Sequence, residues 1–213
     1  MTELCVGGAS VDFDEAKIWA YDYLANDQIL SAYPAYDGYP GSPSTFIGPQ
    51  DLLAPALLNV SQNPIPAYYG LEALMGLLNE RLDALPLQTE LATAGAETIH
   101  HLVELFGVLE ERPTKYVKLV TLSKVLHRKR PKLIPLFDAH IYWCYTLRPD
   151  APVPEQPGRS YAGYRSAWLG AVRKDLHSQL DQWKEIAAIA PGPQITPLRA
   201  LDIIGWELGK RRR

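Results

Sequence analysis

Hydrophobic residues recur at intervals of three and four positions along most of the chain. Leu71, Leu74 and Leu78 follow this spacing, which places side chains on one face of a helix. The same period returns over residues 96–110 and 197–210. No stretch shows convincingly the alternation of apolar and polar residues that a half-buried strand requires. The pattern therefore predicts an all-α fold.

Proline and capping residues divide this pattern into eight predicted helices. Pro86, Pro113 and Pro131 each end one helix, because the residue before a proline avoids helical backbone geometry. The first helix begins after a capping aspartate, Asp12 or Asp14, and runs to about residue 30. The others cover residues 51–60, 67–85, 96–110, 118–130, 139–147, 161–188 with a break allowed in it, and 197–210.

Side-chain character along these segments indicates the buried faces and the connections. Ile18, Tyr21 and Leu24 are predicted on the inner face of the first helix. The stretch 33–49, rich in Tyr, Pro and Gly, predicts an irregular loop. Residues 148–158 form a proline-rich connection. These breaks separate helical segments without indicating a flexible linker.

The composition is that of one folded body. Its 213 residues, 47% of them hydrophobic and 21% charged, suffice for a large core without disulfides or a structural metal. We expect a single helical domain over residues 1–213, built as one or two lobes. The two cysteines, Cys5 and Cys144, are too few for a disulfide framework, a four-thiolate metal site or an iron–sulfur cluster.

The N-terminal segment, MTELCVGGASVDFDEAK, is acidic and interrupted by glycines, so it does not resemble a secretion signal. No apolar run approaches the roughly 18 residues that a membrane-spanning helix needs. The sequence therefore predicts a cytoplasmic protein without a membrane partner.

Charge is distributed unevenly between the two halves of the chain. Residues 1–110 carry 15 acidic and 2 basic side chains, whereas residues 111–213 carry 9 acidic and 19 basic ones. The net charge of −3 hides this asymmetry. Two explanations remain open, a one-sided positive surface that attracts phosphates, or two halves that attract each other across the fold.

Residues 112–147 carry the most specific pattern, RPTKYVKLVTLSKVLHRKRPKLIPLFDAHIYWCYTL. It combines a helix, a tight connection, a second helix with a proline stop, a short apolar segment and an aspartate that opens another helix. This order resembles the helix-hairpin-helix DNA glycosylases. The segment SKVLHRKRPKLIPLFDAHI also looks like a bacterial family of unknown function. The positions that match the glycosylase pattern are Thr121, Pro135, Asp138, His140 and Ile141.

The resemblance implies a glycosylase-like helical bundle with a helix-hairpin-helix core over residues 96–147, and it implies binding of duplex DNA. In such enzymes a base leaves the stack and its bond to the sugar is hydrolysed. The transition state is oxocarbenium-like, so a nearby carboxylate stabilises it and activates water. The resemblance assigns this catalytic role to Asp138 and implies no cofactor.

Basic side chains cluster beside the predicted hairpin. A helix start offers backbone N–H groups to a phosphate, and nearby cations add affinity that does not depend on sequence. Lys124, His127 and Arg128 share one helix face at i, i+3 and i+4 spacing. The alternative is a solvated helix end whose cations offset the helix dipole. The predicted nucleic-acid-binding set is Lys115, Lys118, Lys124, His127, Arg128, Lys129, Arg130 and Lys132.

The chain departs from the glycosylase pattern at two places. Tyr116 and Lys118 stand where the family hairpin has glycines, which let the backbone approach phosphate closely. Val120 stands where the bifunctional members carry a lysine nucleophile. A monofunctional hydrolase that forms no Schiff base is therefore expected.

Alternatives remain for single residues and for the whole chain. Asp138 is also explained as a helix N-cap, and the two roles are compatible. His140 is expected to be a buried, hydrogen-bonded histidine. His100 and His101 point different ways on a helix, so no metal site is predicted. The alternative function is a non-catalytic helix-hairpin-helix module that binds nucleic acid or a protein.

Overall fold

The chain is mostly helical in a computed structural model, which describes residues 2–59 and 63–212. Helices dominate these residues, so the predicted helical class is confirmed. The α-helices are α1 Phe13–Leu24, α2 Pro64–Asp83, α3 Ala96–Glu111, α4 Leu119–Lys129, α5 Ala139–Tyr142, α6 Tyr161–Ser178, α7 Leu180–Ala187 and α8 Pro197–Lys210. Two 3-10 helices, Pro49–Leu58 and Leu91–Thr93, and a π-helical turn, Trp143–Leu147, are also present.

A small β-hairpin at the N-terminus is absent from the predicted elements. Strand β1, Glu3–Val6, pairs antiparallel with β2, Ala9–Asp12. Leu4 and Val6 are buried and alternate with more exposed residues, as in a half-buried strand. A strand of four residues shows this alternation only twice. The signal is therefore too short to stand out from a sequence dominated by helical periods.

Helix α1 begins at a predicted cap, but its buried face differs from the prediction. Asp12 accepts two backbone hydrogen bonds from the first turn. The helix ends at Leu24, and Ile18 and Tyr21 are 61% and 53% exposed, so their predicted burial is wrong. Small residues on the true inner face allow close packing, which a search for large apolar residues overlooks. That face consists of Ala16, Trp19, Ala20 and Leu24.

The other predicted helices are present, with shifted ends and some changes of type. The predicted helix 51–60 is the 3-10 helix that ends at Leu58, and residue 60 lies outside the described residues. The predicted helix 139–147 widens into the π-helical turn at Trp143. The long C-terminal segment breaks at Gln179 into α6 and α7, and α8 has its predicted bounds.

Helix α8 crosses α5 at close range within the main core. A Cβ atom added at Gly205 would lie 2.7 Å from Cδ1 of Ile141, and one at Gly209 would overlap His140. Glycine at these two positions therefore permits the approach of the helices. The crossing holds the start of α5, and with it Asp138, against α8.

Candidate functional site

A cleft of about 760 Å³ opens beside the start of α5. Its walls come from α1 and the loop that follows, the end of the first 3-10 helix, and α4, α5 and α8. Lys124, Asp138 and Asp202 line it with charged groups, and Leu30 and Trp206 add apolar surface. Clefts of several hundred Å³ with a few convergent polar groups are the usual form of ligand sites.

Asp138 lines this cleft from the start of α5. Its Oδ1 atom accepts hydrogen bonds from the backbone N–H groups of His140, at 2.8 Å, and Ile141, at 2.9 Å. Its Oδ2 atom accepts none from the described residues and lies 4.0 Å from Nζ of Lys124. The N-cap interpretation is confirmed, and one carboxylate oxygen remains available to another partner.

Lys124 projects from α4 toward Asp138 and is almost completely buried. Its side chain is 3% exposed, and its ammonium has no hydrogen-bond acceptor within reach among the described residues. Burial lowers the pKa of this lysine, against the opposing effects of Asp202 and Asp138. Lysine side chains are rarely this buried unless their charge is paired, and the carboxylate that pairs with Lys124 is that of Asp138.

A buried ion cluster adjoins the lysine. Arg199 of α8 donates hydrogen bonds to both carboxylate oxygens of Asp37, at 2.8 and 3.1 Å, and to the hydroxyl of Tyr23. Arg199 also pairs with Asp202, three residues along the same helix. Burial raises the pKa of Asp202, whose Oδ1 atom has no partner among the described residues. The cluster ties the loop after α1 to α8 and places fixed charge in the cleft wall.

Lys129 and Arg130, at the C-terminal end of α4, form bonds inside the molecule. Arg130 donates to the carbonyl groups of Leu82, at 3.2 Å, and Leu85, at 2.8 Å, where α2 ends. Lys129 pairs with the buried carboxylate of Asp51 at 2.7 Å. A helix C-terminus leaves carbonyl groups without partners, and Arg130 supplies donors where α2 ends. Both side chains therefore join parts of the fold to one another.

Arg128 and His127 also turn toward the protein. Arg128 donates to the carbonyl groups of Asp37 and Tyr39 and so anchors the loop to α4. His127 is buried, and its Nδ1 atom lies 2.7 Å from a backbone carbonyl. Burial lowers the pKa of His127 to about 3, so the ring is uncharged at neutral pH. The helix face shared with Lys124 is thus an internal face, not an open phosphate-binding surface.

Three of the predicted phosphate-binding lysines remain on the surface. Lys115 and Lys118 are exposed in the loop between α3 and α4, and Lys118 immediately precedes α4. Lys132 forms an exposed pair with Glu90 at 3.0 Å. The eight predicted basic residues therefore divide into five that are buried or internally bonded and three surface lysines.

His140 lines the cleft, whereas His100 and His101 lie outside it on α3. His140 packs edge-to-face on Trp206, with ring centroids 5.8 Å apart. Its buried Nδ1 atom has no hydrogen-bond partner among the described residues, so the expected hydrogen bond is not found. On α3, His100 and His101 both contact Glu104. Within residues 2–59 and 63–212, no three His, Cys, Asp or Glu side chains are placed to hold a metal ion.

The contribution of α8 to the cleft was not found from the sequence. Arg199, Asp202 and Trp206 all line the cleft, some 60 positions or more after Asp138 in the chain. A signal existed, because an arginine and an aspartate three positions apart within an apolar helix indicate a buried ion pair. Only the folded structure joins that pair to Asp138.

Comparison with known proteins identifies a family for this chain. A model for a family of unknown function (DUF6308) matches residues 16–209, which include the residues of the cleft wall named above. No curated protein and no solved structure matches the chain. The predicted likeness to a family of unknown function is confirmed, whereas none of these comparisons supports the likeness to glycosylases. Among the described residues, no helix has the length and apolar character to cross a membrane.

Proposed function

The chain belongs to this family of unknown function, DUF6308, and we propose that it is a DNA-binding hydrolase of N-glycosidic bonds. The cleft receives one nucleotide that has left the duplex, and Asp138 assists removal of its base. One observation carries the proposal. Asp138 stands on the wall of a cleft of about 760 Å³, with one carboxylate oxygen unbonded and a buried lysine 4.0 Å away.

The size and lining of the cleft suit an extruded nucleotide. A volume of about 760 Å³ lies in the range of sites that enclose small ligands, which is the scale of a base with its sugar. Trp206 and Tyr23 line the cleft and supply aromatic surface. Enzymes that act on extruded bases commonly hold them against such side chains.

Hydrolysis at Asp138 proceeds by loss of the base before attack by water. The bond between C1′ of the sugar and the base nitrogen breaks, and its electron pair leaves with the base. The sugar becomes an oxocarbenium ion, whose charge the Oδ2 atom of Asp138 stabilises. Water then adds to C1′, and Asp138 accepts the proton that this water releases. The proton passes from Asp138 to the nitrogen of the departed base anion, so the products are the neutral base and an abasic sugar, and the carboxylate is regenerated.

Lys124 acts in this proposal by holding Asp138 in place. The ammonium attracts Oδ2 from 4.0 Å while two backbone N–H groups hold Oδ1. Val120, one turn earlier on α4, fills the position of the lysine nucleophile in bifunctional glycosylases. We therefore expect no Schiff base with the sugar. Covalent trapping of the protein on abasic DNA by borohydride would contradict this monofunctional mechanism.

Contact with the duplex is proposed at the start of α4. Lys115 and Lys118 are exposed there, and the first N–H groups of a helix have no partners within it. The positive end of the helix and the two ammonium groups together attract a phosphate. Five of the predicted contacts are left out because their side chains are buried or bonded inside the fold, namely Lys124, His127, Arg128, Lys129 and Arg130.

The proposal is tested first by binding. Purified protein is titrated against a labelled duplex that contains a tetrahydrofuran abasic-site analogue, and against the intact duplex, over a series of salt concentrations. We expect binding that weakens with salt and prefers the abasic analogue, because the extruded sugar has no base left to unstack. Equal binding to the two duplexes would contradict an extruded-nucleotide site.

The second candidate is a non-catalytic module that binds nucleic acid or a protein partner. It is favoured by the internal use of the basic run, where Arg130 and Lys129 bond to carbonyl and carboxylate groups of the fold. It is also favoured by the absence of hairpin glycines at Tyr116 and Lys118. Salt-dependent binding without any preference for the abasic analogue and without base release would select this candidate.

A further inference from the structure

A second groove, of about 560 Å³, adjoins the candidate cleft. Arg211, which follows α8, lines both of them, so the two depressions are neighbours on the surface. Trp19 of α1 and Trp143 of the π-helical turn form aromatic parts of the groove wall. Arg148 and Arg212 bring the number of arginines in its lining to three, against one acidic residue, a glutamate of α1.

Arg211 is held from two sides. Its guanidinium carbon lies 4.4 Å from the ring centroid of Trp19, which is the geometry of a cation–π contact. Its Nε atom donates to Glu207 at 2.9 Å. The two terminal nitrogens have no acceptor among the described residues. The side chain is 49% exposed, so these terminal donors are open to an incoming ligand.

Arg148 repeats the same arrangement in the same groove. Its guanidinium carbon lies 5.1 Å from the ring centroid of Trp143, and its Nε atom donates to Asp150 at 3.0 Å. Its terminal nitrogens likewise have no acceptor within the described part of the chain. Two arginines are therefore each fixed by an indole on one face and a carboxylate at Nε.

Because both side chains are already fixed, they are preorganised to bind an oxyanion. A guanidinium presents its N–H donors in a rigid planar fork that matches phosphate oxygens, two bonds at a time. Because the indoles and carboxylates already restrict the side chains, less conformational entropy is lost when a ligand binds. Glu207 and Asp150 offset part of the positive charge, so the groove suits a singly charged phosphodiester better than a dense polyanion.

We propose that this groove binds a backbone phosphate of the DNA strand beside the nucleotide held in the candidate cleft. Arg211 lines both depressions. When one nucleotide of a strand enters the cleft, the adjacent phosphate of that strand therefore lies at the groove. A free phosphate ion would gain nothing from this continuity. The inference rests on the proposed function, because it needs a nucleotide in the cleft.

The test is a salt titration of DNA binding by the 213-residue chain. The probe is a fluorescein-labelled duplex with a tetrahydrofuran abasic-site analogue, which cannot lose a base. The variants are Arg148→Met/Arg211→Met, Arg148→Lys/Arg211→Lys, and the control Arg173→Met, which removes an arginine from a different groove between α3 and α6. Melting temperatures of all variants confirm that they are folded.

We expect the methionine pair to weaken binding about tenfold or more at low salt, and to lower the slope of log Kd against log salt by about 1, since one phosphate contact contributes about 0.9. The lysine pair keeps the charge and loses the fork, so it retains the slope and binds less tightly. The control is expected to keep both the slope and the affinity of the unmodified protein.

Several results would overturn the inference. An unchanged slope in the methionine pair would overturn it, even if the melting temperature fell. The two arginines would then serve only to stabilise the fold through their contacts with the indoles and carboxylates. Tight binding of poly-glutamate with no binding of DNA would point to an acidic protein partner. On a second duplex that carries a damaged base, base release that is insensitive to the methionine pair, with unchanged affinity for the abasic analogue, would reject the groove and leave the proposed function standing. By contrast, groove-dependent binding of the abasic duplex without release of any damaged base would support the phosphate site and reject the hydrolase activity of the proposed function.

Discussion

Helices α1 and α5 each begin at an aspartate, and the surroundings of the two carboxylates differ. Asp12 accepts hydrogen bonds from two N–H groups of α1, at 3.0 and 3.3 Å, and is followed by two acidic residues. Asp138 accepts the same two bonds in α5, at 2.8 and 2.9 Å. It has no acidic neighbour in its first turn, and a buried lysine lies 4.0 Å from its second oxygen.

Both aspartates cap a helix, but only Asp138 lies in a cleft where its second carboxylate oxygen can contact a ligand. Capping uses the Oδ1 atom in both, so local sequence cannot distinguish Asp12 from Asp138. The cleft, and the approach of Lys124 from α4, are products of tertiary packing. Substitution of the two aspartates, or of residues around them, makes the contrast measurable.

The largest expected effect is on catalysis. Asp138→Asn keeps the capping oxygen and removes the charge, so base release should fall about 100-fold or more, as when one stabilising group of a transition state is lost. Asp12→Asn makes the same chemical change outside the cleft and should leave the rate unchanged. Single-turnover assays on one substrate compare the two variants, with circular dichroism to confirm folding. Equal rates for both would remove the distinction between the aspartates.

The next effect concerns the packing that holds α5. Gly209→Ala places a Cβ atom against His140, so we expect a loss of about 1 to 3 kcal/mol in the free energy of unfolding, as in overpacked cores. Gly76→Ala is the matched control, because a Cβ atom at that exposed position of α2 meets nothing within 4 Å. It should stabilise by up to about 1 kcal/mol. Urea titration measures both, and equal stabilities would show that α8 does not constrain α5.

A smaller effect is expected from the lysine that distinguishes the two sites. Lys124→Met should lower the rate about tenfold, the scale of one charge contact to a catalytic group, without abolishing it. Burial lowers the pKa of Lys124, so its positive charge is lost on the alkaline side at a pH below 10.5. The rate of the unmodified protein should fall as pH rises through the lowered pKa of Lys124. A pH–rate profile with the same alkaline limb in Lys124→Met would exclude this lysine as its source.

The smallest effect is the one that the two aspartates should share. Asp12→Ala and Asp138→Ala each remove a helix cap, so each should cost about 1 kcal/mol in the free energy of unfolding. Only the second should also abolish base release. If Asp138→Ala raised stability instead, burial of the carboxylate beside Lys124 would be the dominant influence on that site.

Helical spacing and proline stops predict most of the fold. They predict the bounds of α8, because a long periodic segment carries many consistent positions, and they allow a break in residues 161–188 without locating it at Gln179. The N-terminal hairpin is too short to give such a signal. The inner face of α1 was mistaken because Ala16 and Ala20 pack closely where larger residues were expected.

The candidate site is predictable only in part. The pattern Asp-Ala-His-Ile identifies Asp138, because a cap residue and its helix are local in sequence. The use of Arg130 and Lys129 to satisfy carbonyl and carboxylate groups depends on elements 45 positions and more away in the chain, so charge density alone suggested a phosphate surface. The pairing of Arg199 with Asp37 is likewise a long-range contact that no local pattern contains.

The proposed hydrolysis at Asp138 is tested by a screen for base release by the unmodified protein. Duplexes that each carry one damaged base are incubated with excess protein, and abasic sites are then revealed by strand cleavage in alkali. We expect at least one duplex to yield abasic sites faster than it does without protein, and Asp138→Asn to remove this gain. No release from any duplex, by protein that binds the abasic analogue tightly, would contradict a glycosidic function and leave a nucleic-acid-binding module.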